Sequence, residues 1–175
     1  MPDQTGIGMK LAVAVHYHGA EALAAAVAFD EWDAPEASRT FTSRVADVDG
    51  PVRGELDLRA LPVLVQLLRE HALAPDVILI DGPVHLDAAE TPGLGQALYD
   101  ALGGRTAIIG VSTRSMPGMP GQFEVLRDGE AAPLIVTCVG IDLGAAKVRI
   151  RTMHGKRRIP TLLKLAARIA RAGPP

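Results

Sequence analysis

Two short apolar segments at 77–80 and 106–111 constrain the fold of this 175-residue chain more than any other feature. Each has the length of a buried strand, and the stretch 92–102 between them has the pattern of a helix that ends at Gly103 and Gly104. Strands that alternate with helices in this way indicate a sheet with helices packed on it. The segment at 77–80 is followed directly by Asp81 and Gly82.

The rest of the chain adds strands on both sides of this unit. Three strands come before it, and a hairpin and two helices come after it. The turn of the hairpin is expected at 127–130, Asp142 is expected to cap the helix that follows, and Pro160 to open the last helix. The other predicted strands are 10–17, 20–29, 39–46, 122–126 and 133–139, and the other predicted helices are 61–71, 142–153 and 160–172. The fold class is therefore α/β, a mixed sheet with helices packed on it.

Length and cysteine content limit the class of protein. The chain has the size of one domain, which we place at 10–172 after an N-terminal tail at 1–9. Cys138 is its only cysteine, which excludes an internal disulfide and indicates the reducing cytoplasm. Its apolar neighbours predict a buried, unreactive thiol. We expect neither a signal peptide nor contact with a membrane, since no apolar run approaches spanning length.

The charge of the chain is unevenly distributed. The first 146 residues carry 9 basic and 20 acidic side chains, a net charge of −11, whereas the last 29 carry nine basic and no acidic ones. A basic end on an acidic body is typical of a surface that faces nucleic-acid phosphates. The alternative is a solvated helix whose charges pair with the acidic body. The sequence leaves both interpretations open.

Candidate site residues follow two of the strands. Ligands of open α/β sheets gather at the carboxyl ends of strands, and Asp81 stands at such an end. A carboxylate after an apolar run is unfavourable unless it is paired, hydrogen-bonded or bound to a metal, although it could also cap the next turn. On the first strand Ala14, His16 and His18 share one face. The two histidines with Asp81 could hold a transition metal such as zinc. Further polar candidates are His85, Asp87 and His154.

Other site motifs are missing from the sequence. It contains neither a His-Glu-x-x-His zinc motif nor paired cysteines, and its glycines do not form a phosphate loop between a strand and a helix. Ser112 and Ser115 have no evident histidine and aspartate partners, so a hydrolase triad is not expected.

Five segments, in this order and spacing, resemble the endonuclease V family. They are Arg-Ala-Leu-Pro at 59–62, Val-Ile-Leu-Ile-Asp-Gly at 77–82, Ile-Ile-Gly-Val at 108–111, Pro-Leu-Ile-Val-Thr at 133–137 and Arg-Ile-Pro-Thr at 158–161. The resemblance extends over about 10–171. It implies a ribonuclease-H-like fold and Mg²⁺-dependent cleavage of nucleic acid near deoxyinosine or inosine. In that family, carboxylates from the first strand, a helix start and the Asp-Gly strand hold the metal.

This chain departs from the family's pattern at most of those positions. Asp81 is the only retained carboxylate of the metal-binding set. Arg114 lies beside the position of a family lysine. The positions that differ are Ala14 for an aspartate, Ala60 for a glutamate, Thr113 for the lysine, Ala167 for a polar residue of the last helix and, near the wedge loop, Pro51 for an aromatic residue.

These replacements predict a pseudonuclease. A single carboxylate holds Mg²⁺ weakly, and the loss of one preorganised electrostatic contact commonly lowers a rate by ~10²–10³. We therefore expect the nuclease activity to be lost or vestigial and the binding of DNA or RNA to remain. One alternative is a residual Mg²⁺- or Mn²⁺-dependent endonuclease that acts on inosine-containing nucleic acid. Another is an interaction module whose old cleft binds a partner protein. The candidate nucleic-acid-binding residues are Arg114, Lys156, Arg157, Arg158, Lys164 and Arg168.

Overall fold

A computed structural model describes residues 9–48, 50, 58–127 and 132–172. Most of the predicted tail at 1–9, Pro51 and most of the predicted turn at 127–130 lie outside these residues. The strands are β1 (Lys10–His18), β2 (Glu21–Phe29), β3 (Arg39–Val45), β4 (Val77–Asp81), β5 (Ala107–Ser112), β6 (Glu124–Val125) and β7 (Leu134–Val139). The helices are α1 (Ala60–Glu70), α2 (Leu94–Ala101), α3 (Leu143–Thr152) and α4 (Thr161–Ala172).

The described strands form one mixed sheet in the order β3-β2-β1-β4-β5-β7-β6. Its centre is parallel, because β4 runs parallel to both β1 and β5. Its two sides are antiparallel, with β1, β2 and β3 on one side and β5, β7 and β6 on the other. The α/β fold class and all the predicted strands are confirmed.

The alanine-rich strand β2 shows how tertiary pairing overrides local preference. Its sequence would also suit a helix, yet it pairs with β1 along its whole length, from Glu21 opposite His18 to Phe29 opposite Lys10. The residues from Ala22 to Phe29 are all buried. Both α1 and α4 contact this strand, from opposite faces of the sheet. Small side chains let the helices lie close to it, so the alanines serve packing here rather than helix formation.

Helices cover both faces of the sheet and divide the core into two layers. On one face Leu64 and Leu67 of α1 pack with Leu98 of α2 against the sheet. On the other face Ile150 of α3 and Leu162 of α4 do the same. Alternation along the strands assigns neighbouring residues to opposite layers, so Val13 and Ile80 belong to the first layer and Ala12 and Leu79 to the second.

The helix ends agree with the sequence. The side chain of Asp142 accepts a hydrogen bond from the backbone N–H of Ala145 (3.1 Å), which confirms the predicted cap of α3. Helix α4 begins at Thr161, directly after Pro160. In the described part of the chain, no helix is both long enough and apolar enough to cross a membrane.

Arg127 has a structural role that its position near a turn did not suggest. Its side chain is only 3% exposed. The guanidinium donates hydrogen bonds to five backbone carbonyls around the end of α3, those of Ile150, Arg151, Met153, Gly155 and Arg157. The last carbonyls of a helix have no partner within the helix, so Arg127 supplies the missing donors and fixes the connection to α4.

Candidate functional site

The candidate site lies where the parallel pairing of β1, β4 and β5 ends. Ala12 pairs with Leu79, so Ala14 and Asp81 stand two residues farther along on the same face of the sheet. Asp81 in turn pairs with Val111 of β5, and Thr113 follows that strand. The carboxyl ends of parallel strands lie at one edge of a sheet, and ligands of open α/β sheets bind in the crevice outside that edge.

A cavity of about 380 Å³ opens at this edge beneath α4, and we call it the α4 cavity. It brings together four positions that the resemblance to endonuclease V assigns to the site: Ala14, Asp81, Thr113 and Ala167. Its walls are mostly apolar. The other lining residues are Val13, Val111, Ile159, Leu163, Lys164, Arg168 and Arg171.

Two further cavities meet at Asp81. The α1 cavity, of about 190 Å³, is lined by Ala14, Ala60 and Asp81 among others. Ala60, where the resemblance implies a glutamate, therefore shares a cavity with the same carboxylate. The β5 cavity, of about 410 Å³, includes Asp81, Ser112 and Arg114. The hydroxyl of Ser112 is buried and has no hydrogen-bond partner among the described residues. Asp81 therefore stands at the junction of all three cavities.

The environment of Asp81 disfavours its charge. Although part of the side chain reaches solvent, burial raises the pKa of its carboxyl above the usual range, and the attraction of Arg114 lowers the pKa in partial compensation. Ala14 and Ala60 offer no polar atom beyond the backbone. Among the described residues that line these three cavities, Asp81 supplies the one carboxylate.

Two of the predicted nucleic-acid-binding residues, Lys164 and Arg168, line the α4 cavity, and Arg171 joins them. The three side chains are exposed, and none makes a hydrogen bond or an ion pair with a described residue. Their spacing of four and three residues places them along one side of α4. Arg171 is not among the residues that the sequence assigned to nucleic-acid binding.

The other predicted basic residues lie elsewhere. The guanidinium of Arg158 donates to the carbonyls of Thr113 (2.6 Å), Pro133 (2.7 Å) and Ala132 (3.2 Å). Arg158 therefore braces the segment after β5, which carries Thr113. Lys156 and Arg157 are exposed on the connection between α3 and α4 and do not line these cavities.

The histidines do not form the zinc site that the sequence allowed. His16 and His18 contact each other edge to face, with ring centroids 4.6 Å apart, and the Nε2 atom of His18 lies 3.3 Å from the carbonyl oxygen of Ala170. Among the described residues, no group of three or more His, Cys, Asp or Glu side chains is placed to hold a metal ion. The remaining polar candidates have local hydrogen-bond partners: His85 pairs with Gln96, Asp87 with Thr91 and His154 with Thr161.

Comparison with known proteins gives a clear result at the level of structure. No family model matches the chain, and no curated protein matches it. The structure of endonuclease V from Bacillus subtilis superimposes with a TM-score of 0.74 at 19% identity, over 95% of this chain and 80% of that one. Endonuclease V from Streptomyces avermitilis gives the same TM-score at 24% identity, over 96% and 82% of the two chains.

A third structure extends the likeness to an animal protein. A variant of Ciona intestinalis endonuclease V, in complex with a 23mer DNA that contains an inosine followed by a ribo-adenosine, gives a TM-score of 0.74 at 19% identity. The match covers 94% of this chain and 84% of that one. The chain has the endonuclease V fold. The predicted ribonuclease-H-like architecture is thereby confirmed.

The endonuclease V fold implies Mg²⁺, and the residues present do not fit that ion. Mg²⁺ requires oxygen ligands, usually one or two carboxylates, in a nearly octahedral arrangement. The α4 cavity offers the carboxylate of Asp81 and the hydroxyl of Thr113, while Ala14 and Ala167 present only methyl groups. Three basic side chains on the rim oppose a divalent cation further. The described residues of the cavity therefore do not supply the ligand set of a Mg²⁺ centre of the kind that the fold implies.

Proposed function

We propose that this protein is a catalytically degenerate relative of endonuclease V that binds nucleic acid and does not cut it. The observation that carries the proposal is the content of the cavities around Asp81. Asp81 shares one cavity with Ala14 and Ala167 and another with Ala14 and Ala60, at positions where metal-dependent catalysis requires further oxygen ligands. Asp81, which lines both cavities, links these positions and supports treating them as one site.

Loss of the metal ligands removes most of the chemistry. A metal ion makes a nucleophile from water and stabilises charge on the attacking and leaving oxygens of a phosphodiester. Neither Asp81 alone nor the hydroxyl of Thr113 can supply both effects. Each lost preorganised contact commonly lowers a rate by ~10²–10³, and losses within one site act in the same direction without being additive.

The charge distribution supports retained binding. Lys164, Arg168 and Arg171 form a basic row that lines the α4 cavity, and Arg114 lines the β5 cavity together with Asp81. Such residues attract phosphates, whose counterions are released on binding. The Ciona intestinalis protein of the same fold was solved in complex with DNA. Both DNA and RNA carry such phosphates, so either could be the ligand. The predicted compartment stays the reducing cytoplasm.

The predicted alternatives have less support. A residual Mg²⁺- or Mn²⁺-dependent endonuclease would need ligands that the described residues do not supply around Asp81. A cleft that binds a partner protein gains no support, since a row of cations favours an anionic ligand over an apolar surface.

Cleavage and binding measured on one sample test the proposal. An oligonucleotide with a single inosine is incubated with the protein in Mg²⁺, in Mn²⁺ and in chelator. We expect binding that falls steeply with salt, and no cleavage under any of the three conditions. Metal-dependent cleavage that Asp81→Ala abolishes would show a working nuclease. Cleavage that persists unchanged in this variant points to a contaminating enzyme, and binding absent even at low salt would exclude the nucleic-acid role.

A further inference from the structure

We propose that the α4 cavity has changed from a cation site to an anion site, in which Lys164, Arg168 and Arg171 hold a phosphate of a nucleic-acid strand directly, without a metal ion. This inference rests on the proposed function and identifies the part of the ligand that the old centre contacts. In the metal-dependent arrangement that the fold implies, a divalent cation stands between carboxylates and the phosphate. Here the basic side chains take over the contact with the phosphate.

The three side chains are free to bind an anion. They lie on one side of α4 within two turns of helix, all are exposed, and none pairs with another described residue. Three other basic side chains of the chain are engaged with backbone carbonyls instead. Arg127 and Arg158 donate to backbone carbonyls, and Lys147 donates to the carbonyl of Gln122. A row of unpaired cations facing a cavity is what a phosphate-binding surface needs.

The charge within the cavity has the sign that an anion requires. Three cationic side chains and one carboxylate line it, so its formal charge is positive even with Asp81 ionised. Carboxylates at the positions of Ala14 and Ala60 would repel a phosphate in the absence of a metal. The apolar floor, which includes Val13, Val111 and Leu163, strengthens attraction at the rim by lowering the local dielectric constant.

The size of the cavity suits one nucleotide unit. A volume of about 380 Å³ lies at the lower end of ordinary small-ligand sites, which range over ~300–1,000 Å³. It can take a phosphate with its sugar, whereas a duplex must remain outside. Free nucleotides and inorganic phosphate present the same charged group, so the experiment must distinguish these sources from a strand.

A pair of matched charge variants tests the location of the site. Affinity for a fluorescent single-stranded oligonucleotide is measured by anisotropy in chelator at several salt concentrations. The double variant Lys164→Gln with Arg168→Gln removes two charges from the cavity. The control, Arg69→Gln with Arg105→Gln, removes two exposed charges outside it. We expect the first variant to bind several-fold more weakly and its salt slope to fall by about 1.4, at ~0.7 per contact.

The control should keep nearly all of its affinity and salt slope. Equal losses in the two double variants would overturn the inference while leaving nucleic-acid binding intact. If the unmodified protein binds no oligonucleotide at low salt, the proposed function itself fails.

Competition separates the sources of the phosphate. Displacement only by unlabelled oligonucleotide supports a strand, whereas displacement by equimolar inorganic phosphate or mononucleotide would overturn that assignment.

Asp81→Asn distinguishes an anion site from a metal site, because the two assignments predict opposite results. The substitution removes the negative charge that opposes a phosphate and keeps the size of the side chain. We expect affinity in chelator to rise, and added Mg²⁺ to weaken binding only as an ordinary salt does. If Mg²⁺ strengthened binding to the unmodified protein and Asp81→Asn abolished that gain, a metal bridge would be shown and the inference would be wrong.

Discussion

Ala14 of β1 and Asp81 at the end of β4 stand two residues beyond the last parallel pair of these strands, Ala12 with Leu79, and both line the α4 cavity and the α1 cavity. One carboxylate and one methyl group therefore face each other where the resemblance to endonuclease V implies two carboxylates. Because a pair of close carboxylates attracts cations and repels phosphates, this single difference changes what the edge of the sheet can bind.

Restoring carboxylates should restore a metal site. In Ala14→Asp with Ala60→Glu, three carboxyl groups would converge, so we expect a lower melting temperature in chelator and a clear rise with Mg²⁺. At a Mg²⁺ concentration one hundred times its Kd, the gain in unfolding free energy is ~2.7 kcal/mol. Thermal melts with and without Mg²⁺ measure it. The uncharged control Ala14→Asn with Ala60→Gln should not respond to Mg²⁺. A charged variant as insensitive as this control means that the positions do not converge.

Arg127→Met should destabilise the protein strongly. The substitution keeps the apolar length of the side chain and leaves carbonyls at the end of α3 without donors. We expect a loss of about 2–4 kcal/mol in the free energy of unfolding, measured by urea denaturation. Arg151→Met, at an exposed position of α3, is the matched control and should change stability little. Similar midpoints for the two variants would contradict the role of Arg127.

Gly110→Ala should disturb the segment that carries Asp81. A Cβ atom at Gly110 would lie 2.4 Å from the carbonyl oxygen of Gly82 and 2.8 Å from the backbone nitrogen of Val84, so that backbone must shift. Overpacking of this kind costs about 1–3 kcal/mol. Urea denaturation measures the stability of Gly110→Ala against that of the control Gly121→Ala. At Gly121 the nearest atom to an added Cβ, an oxygen of the Glu124 carboxylate, would lie at an ordinary 3.7 Å. Equal stability of the two variants would refute the close approach.

Cys138 should be unreactive near neutral pH. Burial, with repulsion by Asp142 as a second cause, raises the pKa of its thiol to about 11 from an ordinary 9.0. The thiolate is the reactive form, so alkylation by iodoacetamide, followed by mass spectrometry, should increase with a midpoint near the raised value. Since the folded-state pKa is the higher one, the associated stability is present below pH 9 and is lost as the pH rises towards 11. A midpoint at or below 9 would disprove this environment.

Much of the fold could be read from the sequence because its signals are local. The buried strands β4 and β5 are apolar runs, Asp142 caps α3, and Pro160 directly precedes α4. The same reasoning identified Asp81, since a carboxylate after a buried strand is conspicuous.

The contacts of the arginines could not be predicted in this way. Arg127 and Arg158 bond to carbonyls that lie 23 to 45 residues away in the chain, so no local pattern announces them. Arg158 was predicted to contact nucleic acid because basic residues cluster around it, and the structure shows it bonded to the carbonyl of Thr113. Lys164 and Arg171, in contrast, lie on α4 and line the α4 cavity. Their direction depends on how that helix packs against the sheet, which no local pattern predicts.

A Mn²⁺ titration tests the central claim, that the centre around Asp81 no longer holds a divalent cation. The paramagnetic resonance signal of free Mn²⁺ is followed as the intact protein is added, with Ala14→Asp plus Ala60→Glu as the positive control. We predict that the unmodified protein leaves the signal unchanged while the control reduces it. Loss of signal with the unmodified protein, reversed by Asp81→Asn, would contradict the account.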